Sequence, residues 1–233
     1  MKTQNIAIID YGAGNLGSVR NSFAYLGACL AIESRPHKLC DYDKVILPGV
    51  GAFGDVVGLI RKSGFDEAIA EFVKSGRYML GICVGMQLLF ERSYEFGEHR
   101  GLGLLRGEIV KFGEDLRTPH IGWNQNFFAR RDESDCADLE EQKIFTPPHA
   151  LLDSVPNGAY LYFVHSYYAS NVDEGDILAW CKYSEPSKNH KRNEVETTRF
   201  PSIVAKDNVL GIQAHPEKSH KIGLQILQNF LAL

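Results

Sequence analysis

Short apolar runs alternating with stretches of helical period dominate the first hundred residues, and few folds accommodate that alternation. Ile6–Ile9 and residues 45–47 and 78–82 read as buried strands. Between them, Val19, Phe23 and Leu26 keep one helical spacing, and Ile69, Phe72 and Val73 keep another. Strands separated by helices require right-handed βαβ crossovers, and therefore an α/β fold with a mostly parallel central sheet flanked by helices. From about residue 105 to 183 the pattern changes to β-rich pieces, such as 109–112 and 160–164, which suggest an antiparallel β extension. Ser219 reads as the N-cap of a closing helix with Ile222, Ile226, Leu227, Phe230 and Leu231 on one face.

At 233 residues and 44% hydrophobic, residues 1–233 suit one α/β domain with embellishments. Two charged excursions leave that core. The first, at about 129–148, carries Asp132, Glu133, Asp135, Asp138, Glu140 and Glu141. The second, at about 184–198, mixes Lys188, Lys191 and Arg192 with Glu194 and Glu196. Both read as solvated surface loops. A net charge of −4 gives no basic stripe for nucleic acid, and no apolar run approaches the roughly 20 residues of a membrane span. The five cysteines are odd in number, scattered and without a CxxC. That pattern fits a reducing cytoplasm and argues against a disulfide frame or a metal site.

Gly12, Gly14 and Gly17 match G-x-G-x-x-G between a strand and a helix, with Glu33 at the tip of a possible second strand. On paper this is a dinucleotide fingerprint, and it supports an NAD-linked oxidoreductase as an alternative function. The simpler reading is a tight strand-to-helix turn in which glycine relieves strain, with Tyr11 occupying the approach.

A second constellation carries more chemistry. Gly81-Ile82-Cys83-Val84-Gly85 lies where an apolar strand gives way to the helical segment 86–90. G-x-C-x-G at such a junction is the cysteine form of a nucleophile elbow, in which small flanking residues permit a sharp turn that exposes the side chain. A helix N-terminus after the elbow favours thiolate, and the Val84 N–H can face a developing oxyanion. Taken alone, a cysteine at a strand end is more often a small buried hydrophobe. Downstream, Ala214-His215-Pro216-Glu217 leaves the end of another strand-like run. There His215 can serve as general base, and Glu217 can hold its tautomer. The two lie two residues apart in an extended segment, so both project to the same side. Leu47-Pro48-Gly49-Val50-Gly51 ends a third strand, and its glycines can turn a backbone N–H toward a carbonyl under attack.

Together these residues resemble the class I (triad) glutamine amidotransferases. More narrowly they resemble the glutaminase subunits of that family that serve histidine synthesis. The likeness runs through residues 8–16, 47–53 and 81–90, His120-Ile121-Gly122-Trp123-Asn124, residues 163–168 and His215-Pro216-Glu217-Lys218-Ser219. It implies a flavodoxin-like sheet and hydrolysis of glutamine by Cys83, His215 and Glu217. Val50, Gly51 and Val84 would form the oxyanion hole, and Gln87, His165, Ser166 and Tyr167 would hold the substrate. It implies no cofactor. The ammonia would pass to a (β/α)₈-barrel cyclase in a heterodimer, giving imidazole glycerol phosphate and AICAR, with Asn15, Trp123 and Lys218 facing that partner. A paralogue feeding ammonia to a sugar amidination step would keep the same catalytic residues.

Overall fold

The computed structural model describes residues 4–129, 147–186 and 195–233. The first part of the chain builds a parallel sheet from strands β1 (Ile6–Ile9), β2 (Leu30–Glu33), β3 (Lys44–Gly49) and β4 (Met79–Cys83). Helices α1 (Leu16–Tyr25), α2 (Phe53–Ser63) and α3 (Phe65–Lys74) connect them, and the four-residue α4 (Val84–Gln87) follows β4. Next come β5 (Arg92–Ser93), β6 (His99–Arg100), β7 (Glu108–Lys111), β8 (His120–Phe128), β9 (Ala159–His165) and β10 (Tyr167–Ser170). The chain closes with β11 (Ile177–Pro186), β12 (Val195–Lys206), β13 (Val209–Ile212) and helix α5 (His220–Ala232).

Nine strands form one sheet in the order β2-β1-β3-β4-β13-β12-β11-β8-β9. The first five are parallel and keep the doubly wound order expected of a flavodoxin-like core. The remainder pair antiparallel, as the β-rich middle of the sequence suggested. A second sheet, β10-β7-β5-β6, lies alongside. Every residue of β1, β3, β4 and β13 is buried, so these strands appear in the sequence as continuous apolar runs, not alternations. The ribbon β8–β9 alternates and leaves Ile121, Trp123 and Tyr160 exposed on one face. No described helix is long and apolar enough to cross a membrane.

One core strand begins with a charge. Lys44 is buried, and its ammonium donates to the carbonyls of Phe230 (3.0 Å) and Leu231 (2.7 Å) and to Gln4 Oε1 (3.1 Å). It thus takes up carbonyls that the end of α5 leaves unpaired, where a cation is favoured.

Three expectations need correction. The glycine-rich turn after β1 does place Gly12 and Gly14 at φ 92° and 121°, but its chemistry is committed elsewhere. Asn15 caps α1 with its own side chain, through Ser18 N. Glu33 is held by Arg35 (2.8 and 2.9 Å) and Tyr42 (2.9 Å), which keep its carboxyl near a pKa of about 2. Tyr11 is buried and donates to Pro48 O (2.9 Å). The dinucleotide reading therefore fails: the acid has its own partners, and the helix end is already capped. Second, the ends of the 184–198 excursion are strand, because β11 and β12 run on as a hairpin, with the Ser184 and Thr197 hydroxyls 2.9 Å apart. Their polar sequence hid a pairing that needs no apolar face. The acidic cluster at 132–141 and residues 188–194 lie outside the described residues. Third, Ser219 sits at the N-cap of α5 without capping it. Its Oγ instead donates to His215 O (2.7 Å) and accepts from Tyr162 N (2.9 Å).

Candidate active site

The ends of β3, β4 and β13 come together at one edge of the parallel sheet. Adjacent strands are in register, with Gly49 opposite Cys83 and Ile82 opposite Ile212. Cys83 turns the chain from β4 into α4 at φ 55°, ψ −114°, a conformation costly for a residue with a Cβ. The flanking glycines allow it. A Cβ on Gly81 would fall 2.6 Å from Gly85 O, one on Gly85 1.9 Å from Leu47 O, and one on Gly49 2.3 Å from Gly85 N. Backbone meets backbone at all three, so no side chain fits. The helix beyond the elbow is shorter than the sequence suggested, four residues with Leu88 as its C-cap. Its dipole contribution is correspondingly small.

His215 leaves β13 and is held in place by its own backbone, its N–H donating to Tyr162 O (2.8 Å) and its carbonyl accepting from Ser219. Residues Pro216–Lys218 form a 3₁₀ turn, not the extended segment expected, because Lys218 N closes back onto His215 O (3.0 Å). The turn still brings His215 Nδ1 to Glu217 Oε1 at 2.8 Å, with the two side chains only 5% and 1% exposed. Burial alone would lower the imidazole pKa. Hydrogen bonding of the imidazolium to Cys83 and Glu217 outweighs it and raises the pKa to about 10. The structure therefore brings Cys83, His215 and Glu217 together in that order, and it favours the imidazolium between its two partners.

A cavity of about 290 Å³ opens over Cys83. Val50, Gly51, Val84, Gln87, His165, Ser166 and Tyr167 all line it, beside Cys83 and His215. Gln87 is buried, and its amide donates to Tyr167 O (2.9 Å) and to Gln213 Oε1 (3.0 Å), so its position is fixed from behind the wall. Asn15, Trp123 and Lys218 lie outside the cavity. Asn15 is committed to its helix cap, Trp123 is 41% exposed and stacks on His220 at 5.0 Å, and Lys218 is exposed.

Two residues of the site escaped the sequence reading. Glu95 lines the cavity on the turn between β5 and β6, and its Oε2 accepts from Phe53 N (2.6 Å) at the start of α2. No periodicity marks it, since it stands among exposed charges. Gln213 is fully buried, accepts from Gln87 and places its amide 3.9 Å from Cys83 Sγ. Its signal was available: a polar residue directly after a buried strand must have internal partners.

Comparison with known proteins agrees with this geometry. The family model for the class-I glutamine amidotransferases matches residues 7–233. The chain is 47% identical over 230 residues to the imidazole glycerol phosphate synthase subunit HisH of Sulfurimonas denitrificans, covering 97% of this chain and 96% of that one. It is 46% identical to the protein of the same name from Wolinella succinogenes, covering 97% and 98%. For that of Helicobacter hepaticus it is 43% identical over the whole of both chains. Among solved structures, PurLQS from Thermotoga maritima superposes with a TM-score of 0.68 at 18% identity, covering 99% and 98%. A glutamine amidotransferase superposes with a TM-score of 0.67 at 16% identity, covering 97% of each chain. At such low identity these two speak for the fold alone.

Proposed function

The chain belongs to the class-I glutamine amidotransferase family, and from that premise we propose that it is the glutaminase subunit of an imidazole glycerol phosphate synthase. The observation that carries the reading is the file Cys83, His215, Glu217 at the mouth of an amino-acid-sized cavity. Cys83 attacks the side-chain amide carbon of glutamine, and the carbonyl electrons move onto oxygen. Backbone N–H groups at Val84 and at Val50–Gly51 receive that oxyanion. His215 passes its proton to the amide nitrogen, the C–N bond breaks, and ammonia leaves a glutamyl thioester. Water then attacks the thioester, His215 takes its proton, and the thiolate departs as glutamate is released. Glu217 holds the imidazole throughout.

The substrate is a zwitterion, so its two ends need different partners. Glu95 is the carboxylate lining the cavity that can meet the α-ammonium. The backbone at His165–Tyr167 receives the α-carboxylate, and Gln87 keeps that backbone in place. Residues 1–233 act as one glutaminase domain working in the cytoplasm. The partner is a (β/α)₈-barrel cyclase subunit that consumes the ammonia to give imidazole glycerol phosphate and AICAR. The exposed apolar face of Ile121 (60%), Trp123 (41%) and Tyr160 (53%) suits such docking, and Val50, Asn15 and Lys218 are the further residues assigned to that partner's side. The relatives named above, all called imidazole glycerol phosphate synthase subunit HisH, favour this reading over the sugar-amidination alternative.

The test is to incubate the chain with glutamine and with a diazoketone analogue of it, then map the label by mass spectrometry. Equal amounts of glutamate and ammonia, with the label on Cys83, are expected. Titrating in a cyclase barrel should then stimulate turnover. Label at another residue, or glutamine left intact with the barrel present, would overturn the reading.

A further inference from the structure

Behind the cavity wall His165 meets a second buried histidine. His165 Nδ1 lies 2.9 Å from Tyr167 O, and its Nε2 lies 3.1 Å from His120 Nδ1. The other nitrogen of His120, Nε2, lies 3.1 Å from Asn124 Oδ1. Asn124 cannot reverse its amide, because its nitrogen donates to Lys182 O at 2.8 Å and an oxygen there would face an oxygen. The chain of contacts therefore ends on an acceptor at both sides.

We propose that His120 and His165 hold three ring protons between them, one more than two neutral imidazoles carry, and that this buried cation fixes the turn that receives the substrate carboxylate. The count follows from the ends. A proton on His165 Nδ1 is needed for Tyr167 O, one on His120 Nε2 for Asn124 Oδ1, and one between the rings. Two neutral rings would leave one of these contacts with lone pairs opposed, which a buried site does not forgive. The surroundings suit a cation. The His120 ring is sandwiched between Phe163 (centroids 5.1 Å, planes 19° apart) and Tyr183 (4.1 Å, 20°), whose faces attract positive charge. Burial holds the pKa of His165 down to about 3, and two rings 3.1 Å apart cannot both be charged; the stacked aromatic faces lie on His120, so the charge belongs there. Among the described residues the other titratable groups around the pair are Tyr183, Tyr168 across the Phe112 ring, and His215, whose charge acts on His165.

The consequence lies at the turn 165–167, where the chain crosses from one sheet to the other between β9 and β10. His165 Nδ1 and Gln87 Nε2 both donate to Tyr167 O, and Phe112 N donates to Ser166 O (3.2 Å). With both carbonyls engaged, the peptide N–H groups of the turn have a fixed direction. His120 does not itself line the cavity and acts through His165, as a positioning residue. This role rests on the glutaminase reading; the proton count does not.

Two measurements separate them. Ring-nitrogen NMR of the full chain labelled with ¹⁵N-histidine should show, at neutral pH, one doubly protonated imidazole that disappears in His120→Phe and one Nδ1–H tautomer. Two neutral rings at these positions would overturn the proposal, and His215→Ala, which removes the imidazolium beside Cys83 from the spectrum and leaves this pair in place, lets the pair be read even if His120→Phe does not fold. Second, His120→Phe keeps a ring in the sandwich but donates nothing. For the diazoketone glutamine analogue it should raise the half-saturating concentration about tenfold and change the maximal labelling rate by less than about threefold. The same analogue with its carboxylate capped as an amide should show no difference between variant and wild type. A fall in maximal rate with unchanged half-saturation would refute the positioning role. Absence of Cys83 labelling in the wild type would instead break the glutaminase reading and leave the proton count standing.

Discussion

The two walls of the cavity are built differently. On one side Cys83 and His215 stand at the ends of neighbouring parallel strands, and their placement follows from backbone register and from glycines that let backbones touch. On the other side Glu95 and the turn 165–167 depend on hydrogen bonds of particular side chains, Glu95 accepting from Phe53 N and Gln87 and His165 both reaching Tyr167 O. The reacting wall is thus a property of the fold. The recognising wall is a property of particular side chains, and substitutions there should change affinity before they change chemistry.

Cys83→Ala is the most severe break. It should remove glutamine hydrolysis by at least about 10⁴-fold, while ammonium salts still support synthesis with the cyclase partner, measured as glutamate release and product formation in parallel assays. Glu217→Gln should come next, with kcat down about 10³-fold in the same glutamate-release assay and little change in KM, since a carboxamide cannot hold the same imidazole tautomer. It also removes an anion that raises the His215 pKa, so the alkaline limb of the rate profile should move to lower pH. The sign for stability follows. His215 is raised from 6.5 to about 10 on folding, so its contribution is complete below the lower value and fades as pH rises through the upper. Denaturant midpoints of wild type and Glu217→Gln should therefore differ near neutrality and converge toward alkaline pH.

On the recognising wall, Glu95→Gln should raise KM for glutamine about tenfold with a smaller effect on kcat, because a hydrogen bond to a charged group is lost. A fall in kcat as large as the rise in KM would erase the contrast between the walls. The smallest effect belongs to the rim. Lys218→Ala should leave labelling of Cys83 unchanged and weaken binding of the cyclase by a few-fold, a rim ion pair being worth about 1 kcal/mol. Titration of the barrel subunit against both proteins measures it.

The same division explains what could be read from the sequence. The parallel core, the elbow and the pair His215–Glu217 are written in short contiguous patterns, because each depends on residues within one strand end. Glu95 depends on a hairpin from the second sheet reaching the start of α2, and nothing near it in the sequence marks that approach. Gln213 and His120 were visible as polar residues in apolar company, but their partners are 126 and 45 residues away. The extended reading of 215–217 failed because one backbone bond, Lys218 N to His215 O, closes a turn that side-chain pattern cannot reveal. The continuation of β11 and β12 was missed because a hairpin arm with two polar faces has no period to detect.

The interlocked glycines at 49, 81 and 85 carry a consequence for how such a chain can diversify. Where three main chains touch without side chains between them, the distance from the sulfur to the neighbouring amides is set like the spacing of rungs on a ladder, whatever decorates the rails. The proposed oxyanion role asks only an N–H group of Val50, whose side chain is exposed and free to drift with the partner or the climate of the host, whereas Val84 is packed into the core. A methyl group on any of the three glycines, by contrast, would push the rungs apart. Libraries that vary position 50 while holding 49, 81 and 85 fixed should yield many active sequences, and the reverse design almost none.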